Sequence, residues 1–319
     1  MTSAASASSN SGGMTTNPNE SSSGATSDPT SGATTEASSS SGAETSASSS
    51  SSGGVPQTIH FAAIGDYGTD DDDEAAVAAL VDSWDPEFVI TLGDNNYPDG
   101  EAETIDAHIG QYYHHYIGNY VGTYGVGSAE NRFWPSPGNH DWNTDTLQPY
   151  VDYFTLPGNE RYYDVDFGLV HLFAVDSDSH EPDGIDVESV QAQWLQGALA
   201  ASTACWKVVY FHHAAYSSAE HGPDEDLQWP FETWGADVVM AGHDHSYERL
   251  AVGGIPYFVN GLGGAGQYDF PEILPESVVR YNENHGAMSI TASNSDMTFE
   301  FVTIDGEVID THTIRKTCP

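Results

Sequence analysis

Residues 88–97 read FVITLGDNNY, and a similar plan occurs earlier at residues 59–66, which read IHFAAIGD. In each stretch a short apolar run of strand length ends at a Gly-Asp pair. Ligands bind beyond the carboxyl ends of strands in α/β sheets, and a glycine permits the tight turn that brings a short side chain inward. Asp66 and Asp94 are therefore the first candidate site residues.

Apolar runs alternate with helical spacing through much of the chain after these stretches. The alternation predicts an α/β layered fold. Strand-like sequence with a turn at Asp305-Gly306 follows toward the C-terminus. The predicted strands are residues 59–64, 88–92, 169–175, 206–211 and 238–241, the predicted helices are residues 73–84 and 187–201, and the strand-like C-terminal segment is 257–313.

Residues 1–54 differ in composition, with 20 serines and no aromatic residue, Leu, Ile or Val. Such a segment cannot offset its ordering entropy by burial, so we predict a disordered Ser/Thr/Gly/Ala-rich linker before one folded domain at residues 55–319. Linkers of this kind often hold an exported domain away from a membrane or wall. We therefore expect a secreted or cell-surface protein with a surface tether, its export signal absent from this sequence. An intracellular disordered tail is the alternative.

The chain is strongly acidic, with 48 Asp and Glu against 7 Lys and Arg and a formal charge of -41 at pH 7. This charge excludes a protein that coats nucleic acid. No run reaches the roughly 18 apolar residues of a membrane span. After residue 54 lie 44 of the acids and all seven bases, so the acidity belongs to the domain, whose formal charge is -37. A high-salt or an acidic habitat would explain it.

Two cysteines, Cys205 and Cys318, are too few for a disulfide scaffold and are wrongly spaced for a thiolate metal site. They form at most one bridge. The sequence leaves one bridge and two free thiols equally open, because it does not show whether the C-terminal tail returns to the strand that begins near Cys205.

Ligand-type side chains recur in further Gly-marked loops and strand ends. Asp, Asn, His and Tyr make a hard to borderline set without thiolate, which suits iron(III), manganese or zinc. Because one carboxylate can bridge two ions, the set indicates a two-metal centre of the type that clamps a phosphate ester. The motifs, after IGDYG and LGDNNY, are PGNHD at 137–141, VVYFHH at 208–213 and AGHDH at 241–245.

This ordered set resembles the calcineurin-like metallophosphoesterase superfamily, and within it the purple acid phosphatases, over nearly all of residues 55–313. Many superfamily members carry a histidine two residues after the first Asp, where this chain has Gly68. Tyr97 lies three residues after Asp94, where the purple enzymes place a tyrosinate ligand. The resemblance implies a four-layer α/β/β/α sandwich of the small, single-domain type.

The resemblance also implies the roles of individual residues. His140 and His221 correspond to positions that contact the phosphate and assist the leaving group, and Asp141 would orient His140 or its loop. His213 is an alternative to His212 as a metal ligand, and the resemblance favours His212. Iron(III) would be held by Asp66, Tyr97 and His245, a second divalent ion (Zn, Fe or Mn) by Asn139, His212 and His243, and Asp94 would bridge the two.

The implied activity is hydrolysis of small phosphate monoesters, with hydroxide on the iron as nucleophile and a purple colour from the tyrosinate. The nearest alternative is a phosphodiesterase or generic metallophosphoesterase on the same scaffold. A non-catalytic binding protein is a second alternative, although no ligand position is lost. Oxygen or peroxide chemistry at the iron is a third.

Overall fold

The computed structural model describes residues 58–144 and 146–318. Within these residues, two β-sheets form the centre of the molecule. The strands are β1 (Ile59–Ile64), β2 (Phe88–Leu92), β3 (Phe133–Ser136), β4 (Tyr163–Asp166), β5 (Val170–Ala174), β6 (Trp206–Tyr210), β7 (Val238–Ala241), β8 (Tyr247–Val252), β9 (Ile255–Asn260), β10 (Ser277–Tyr281), β11 (Gly286–Ala292), β12 (Asp296–Thr303) and β13 (Val308–Arg315).

The helices are short, apart from α1 and α5. None of those in the described part of the chain is long and apolar enough to cross a membrane. A π-helical turn and a 3₁₀ turn flank α2, and another 3₁₀ turn lies at Glu225–Leu227. The helices are α1 (Asp72–Ser83), α2 (Gln111–Tyr113), α3 (Asn139–Trp142), α4 (Gln148–Tyr153), α5 (Val190–Ala201) and α6 (Phe231–Trp234).

The first sheet has six strands in the order β13-β12-β11-β1-β2-β3, and the second has seven in the order β10-β8-β9-β7-β6-β5-β4. In the first sheet β1, β2 and β3 are parallel. In the second sheet β5, β6, β7 and β9 are parallel. Each sheet thus has a parallel half, and the carboxyl ends of its strands form one edge.

Alternating side chains divide the second sheet between two apolar cores. On β6 and β7, Val208 and Met240 belong to the core that includes the first sheet, as Phe61 and Phe299 do. Their neighbour Val209 instead joins a core with α5 and α6. Because successive strand residues point to opposite faces, strands that are apolar throughout indicate a sheet covered on both sides. The four-layer α/β/β/α arrangement is confirmed.

The two longer helices begin at side-chain caps. The Asp71 carboxylate accepts hydrogen bonds from the amides of Asp73 and Glu74, 3.0 Å each, at the start of α1. The Ser189 hydroxyl accepts from the Ala192 amide at the start of α5. The Ser189 cap explains why α5 begins at Val190 rather than at residue 187, since a capping residue has a non-helical backbone.

Most predicted elements of the parallel sheets are confirmed within a residue or two. The C-terminal segment was predicted to be strand-like throughout 257–313, and this is wrong for residues 261–276, which form no strand. There the chain is bound to the loop that follows β1, because the amides of Gly263 and Ala265 donate to the carbonyls of Gly65 and Asp66, 2.9 Å each.

Cys205 and Cys318 form a disulfide, with 5.2 Å between their α-carbons. The bridge fastens the C-terminal tail beside the start of β6. It settles the alternative that the sequence left open in favour of one bridge. The predicted linker, residues 1–54, lies outside the described residues.

Candidate metal centre

The predicted ligands lie where strand ends of both sheets meet. The first sheet supplies oxygen donors, with Asp66 after β1 and Asp94 after β2. The second supplies nitrogen donors, with His212 after β6 and His243 after β7. Tyr97 and Asn139, which follow β2 and β3, add oxygens to the first group, and His245 adds a nitrogen to the second.

Unusual backbone geometry turns several of these residues inward. Asp66, Asp94 and His243 have φ values of 57°, 51° and 71°, in the left-handed region that non-glycine residues rarely adopt. Gly93 has a φ of 89°, and a β-carbon there would collide with the His212 ring. Strained backbone of this kind concentrates at functional sites, where the surrounding structure holds it.

The first ligand cluster contains Asp66, Asp94, Tyr97 and His245. The Tyr97 hydroxyl oxygen lies 3.2 Å from Asp66 Oδ1, 3.0 Å from Asp94 Oδ2 and 3.2 Å from His245 Nε2. His245 Nε2 is also 3.4 Å from Asp66 Oδ1. Four potential ligand atoms from three loops thus converge on one small volume.

The second ligand cluster contains Asp94, Asn139, His212 and His243. His212 Nε2 lies 3.2 Å from Asp94 Oδ2, 3.0 Å from Asn139 Oδ1 and 3.1 Å from His243 Nδ1. Carboxylate and imidazole donors of Asp94, His212 and His243 all fall within 4.8 Å of one another. Asp94 Oδ2 therefore takes part in both clusters.

Backbone amides hold the outer oxygen of each carboxylate. The His140 amide donates to Asp94 Oδ1, and the His243 amide donates to Asp66 Oδ2, 2.9 Å in each case. Each carboxylate is thereby fixed by a different ligand loop. The other oxygens, Asp94 Oδ2 and Asp66 Oδ1, face the ligand clusters.

The imidazole orientations show that these clusters suit cations. His212 Nδ1 donates to the Leu92 carbonyl at 2.8 Å, and His245 Nδ1 donates to the Gly266 carbonyl at 2.6 Å. Each neutral ring therefore turns the lone pair of Nε2 toward carboxylate oxygen. Facing lone pairs repel unless a proton or a metal ion lies between them, and such outer hydrogen bonds are typical of metal-ligating histidines.

The pKa shifts point the same way. Burial works against a charged His212, but the carboxylates of Asp94 and Asp66 outweigh it and raise the pKa of His212 to about 10. Burial, and then the charges of Asp94 and Asp66, raise the pKa of the Tyr97 phenol well above its usual value. The pocket thus retains protons where a metal ion would displace them, and a tyrosinate there requires a cation.

His140 lies beside the first cluster. Its Nδ1 donates to the Pro98 carbonyl, so Nε2 faces the site, 3.9 Å from Asp94 Oδ2. Its ring packs on Tyr97 with centroids 4.4 Å apart. About one third of the side chain is exposed, which leaves it accessible to a substrate.

His221 lies beside the second cluster, its ring stacked on His243 at 4.1 Å. The His221 amide donates to Asp244 Oδ1 at 2.8 Å, so the motif that supplies His243 also fixes this loop. Tyr268 completes the surroundings by stacking on His245 at 4.1 Å. Sequence reasoning missed Tyr268, which belongs to no motif.

His213 does not join the ligand atoms. Its Nδ1 accepts from the Ser177 hydroxyl at 2.9 Å. The amides of His212 and His213 both donate to that same hydroxyl oxygen, at 3.2 and 2.9 Å. Ser177 therefore fixes the end of β6, and the preference for His212 over His213 agrees with the geometry.

Asn95 and Asp141 support the oxygen ligands from below. Asp141 Oδ2 accepts from the Gly138 amide at 2.8 Å and from the Asn95 side chain at 2.8 Å. Burial and the charge of Asp94 raise the pKa of Asp141 to about 7. Of the two roles predicted for Asp141, the contacts favour orientation of the loop that carries Asn139. Asn95 was not identified from the sequence.

Comparisons with known proteins agree with this arrangement. The family described as calcineurin-like phosphoesterase matches residues 59–247. Purple acid phosphatase 17 of Arabidopsis thaliana is 26% identical over 287 residues, covering 79% of this chain and 83% of that protein. Tartrate-resistant acid phosphatase type 5 of Mus musculus is 23% identical over 299 residues, covering 78% and 88%.

Among solved structures, the purple acid phosphatase PPD1 of yellow lupin has a TM-score of 0.66 at 20% identity, covering 82% of this chain. At that identity the likeness shows the fold alone. The match covers 55% of the lupin chain, so this chain spans about half its length. The resemblance to purple acid phosphatases read from the motifs is confirmed by these relatives.

Proposed function

Because the chain belongs to the calcineurin-like phosphoesterase family, we propose that it hydrolyses phosphate monoesters as a purple acid phosphatase with an iron(III) and divalent-metal centre. The observation that carries the proposal is the sharing of Asp94 Oδ2 between two ligand clusters, one of which contains Tyr97. The relatives named as acid phosphatases support it.

The first cluster would hold iron(III), through Asp66, Tyr97, His245 and Asp94. The second would hold a divalent ion, Zn, Fe or Mn, through Asn139, His212, His243 and Asp94. When bound, the two ions would activate water as a nucleophile and neutralise charge on the phosphate.

In the reaction, water oxygen bonds to phosphorus, the bond from phosphorus to the ester oxygen breaks, and alcohol and inorganic phosphate result. His140 presents Nε2 to the site, and in the imidazolium form, with Nδ1–H held by the Pro98 carbonyl, its Nε2–H would donate to a phosphate oxygen. His221, whose ring stacks on His243, would give the departing alcohol a proton. The amides that hold Asp66 and Asp94 keep their inner oxygens in place.

The test combines elemental analysis with two substrates. We expect two metal ions per chain, one of them iron, and faster turnover of p-nitrophenyl phosphate than of bis-p-nitrophenyl phosphate. The reverse substrate order would favour the phosphodiesterase alternative. Two bound zinc or manganese ions would favour a generic metallophosphoesterase. A protein that contains no metal and hydrolyses no ester would favour the binding-protein alternative. Peroxide turnover above ester hydrolysis would favour redox chemistry.

Tyr97→Phe is expected to remove the visible absorption band, because among the carboxylate, imidazole and phenol ligands of the first cluster only an ionised phenol gives visible charge transfer to iron(III). The phenol supplies one of four atoms in the first cluster, so iron content should fall as well. The absorption spectrum and iron content of the purified variant measure both effects. Tyr124→Phe, at an exposed tyrosine, is the matched control. A coloured Tyr97→Phe protein would refute the tyrosinate assignment.

We infer that the domain is exported, with residues 1–54 as a linker to a surface. The disulfide between Cys205 and Cys318 supports export, because disulfides persist in oxidising compartments. The linker itself stays a prediction from composition. Recovery of the native protein only from the cytosolic fraction, with both thiols free, would contradict the inference.

A further inference from the structure

The seven Lys and Arg residues of the chain are all engaged away from the metal centre. None of them forms a hydrogen bond or ion pair with either ligand cluster in the described part of the chain. Positive charge in direct contact with the ligand clusters would therefore come from the metal ions and histidines. The bases are Arg132, Arg161, Lys207, Arg249, Arg280, Arg315 and Lys316.

A cleft opens beside the second ligand cluster, and His243 and His221 are among the residues that line it. His213 and Pro223 contribute further to its lining. An ester whose phosphate lies at the clusters has to place its alcohol group toward such open space. The residues of this cleft would therefore contact the part of the substrate that differs from one ester to another.

Two carboxylate residues, Asp224 and Glu225, also line the cleft. Asp224 Oδ1 accepts from the Asp226 amide at 3.0 Å, which fixes the carboxylate at the start of a 3₁₀ turn. Glu225 is exposed, and no side-chain partner neutralises either carboxylate in the described residues. The variable part of the substrate thus meets negative charge.

Two further carboxylates are close in sequence to one of the two histidines of the site or to a residue that contacts one of them. Asp99 follows Pro98, whose carbonyl receives the His140 hydrogen bond. Glu220 precedes His221, and its carboxylate accepts from the Asp269 amide at 3.3 Å. Without Lys or Arg to offset them, these groups and the domain charge produce a negative field around the entrance.

We propose that this site selects phosphate monoesters whose alcohol group carries no negative charge, and prefers a positively charged one, with Asp224 and Glu225 as specificity-determining residues. The specificity rests on the proposed phosphatase function. The ions bind the phosphate common to all esters, so charge in the cleft discriminates between their alcohol groups. A second phosphate or a carboxylate on the substrate would meet repulsion without a basic partner.

The test compares kcat/KM for three esters of primary alcohols at one pH and low ionic strength. They are phosphoethanolamine, glycerol 3-phosphate and 3-phosphoglycerate, whose alcohol groups are cationic, neutral and anionic. We expect kcat/KM to fall in that order, by at least about five-fold from first to last, and the ratio to shrink as salt screens the charges. Equal values, or the reverse order, would overturn the proposal.

The residues are tested with Asp224→Asn and Glu225→Gln, singly and together. Asparagine can still cap the 3₁₀ turn, and the exposed Glu225 allows a change without loss of folding. The double variant should lower the cationic-to-anionic ratio at least about three-fold. Asp85→Asn is the control, because exposed Asp85 lies before β2, at the opposite end from Asp94. An unchanged ratio in the double variant would overturn the assignment.

Failure of the specificity and failure of the function give different results. Hydrolysis of p-nitrophenyl phosphate with no discrimination among the three esters would overturn the specificity alone. No hydrolysis of any ester by metal-loaded protein would show that the proposed function is wrong, and the specificity would fall with it.

Discussion

The Asp94→Asn protein is expected to lose more than about 10³-fold in kcat/KM, since loss of one stabilising donor elsewhere costs roughly 10² to 10³. Asp94 Oδ2 lies within 3.2 Å of both Tyr97 and His212, so one substitution alters both ligand clusters. An amide is a weaker, uncharged ligand and cannot replace a bridging carboxylate. Metal content should fall below two ions per chain.

Asn is the informative replacement because it keeps the shape of Asp and tolerates the left-handed backbone at this position. Kinetics with p-nitrophenyl phosphate and elemental analysis on the same sample provide the measurement. Asp99→Asn, five residues later and exposed, removes the same charge from the same loop and should retain both ions. Full activity in Asp94→Asn would refute the shared-ligand arrangement.

The second large effect concerns stability. Replacing Cys205 and Cys318 together by Ser should lower the free energy of unfolding by about 4 kcal/mol. The bridge joins residues 113 apart in sequence, so its loss frees a long loop in the unfolded chain. For a domain of this size the midpoint of thermal unfolding should fall by roughly 10 °C.

Thermal unfolding with and without reductant measures this effect and contains its own control. Reductant should lower the midpoint of the wild-type protein and leave the double variant unchanged. The variant should still bind both metal ions, because the bridge lies at the start of β6, whereas His212 follows its end. Equal midpoints for the wild-type and variant proteins would show that the bridge does not stabilise the fold.

The sequence predicted the strand ends well because each carries a local signal, an apolar run that stops at Gly followed by a polar residue. Asp66 and Asp94 were identified in this way, and their loops meet because β1 and β2 pair in parallel. The spacing of Tyr97 after Asp94 was also local. Such signals depend on a few neighbouring residues, so they survive without knowledge of the tertiary fold.

Other features depend on which segments meet in space. Tyr268 stacks on His245 and Ser177 holds the end of β6, yet neither lies in a motif. The sequence did not decide whether the disulfide forms, because its formation depends on the path of the C-terminal strands. Residues 261–276 form no strand, and amides of this segment donate instead to the carbonyls of Gly65 and Asp66 in the loop after β1, a contact that depends on the tertiary fold.

The division of ligand chemistry between the sheets has a consequence for unfolding. Oxygen ligands follow strands of the first sheet and nitrogen ligands follow strands of the second, so neither sheet holds a complete centre. Bound ions would act as a crosslink between the layers, and separation of the layers would require their release. Binding of both ions to the folded state alone would therefore raise the free energy of unfolding, and the midpoint of unfolding would depend on metal concentration.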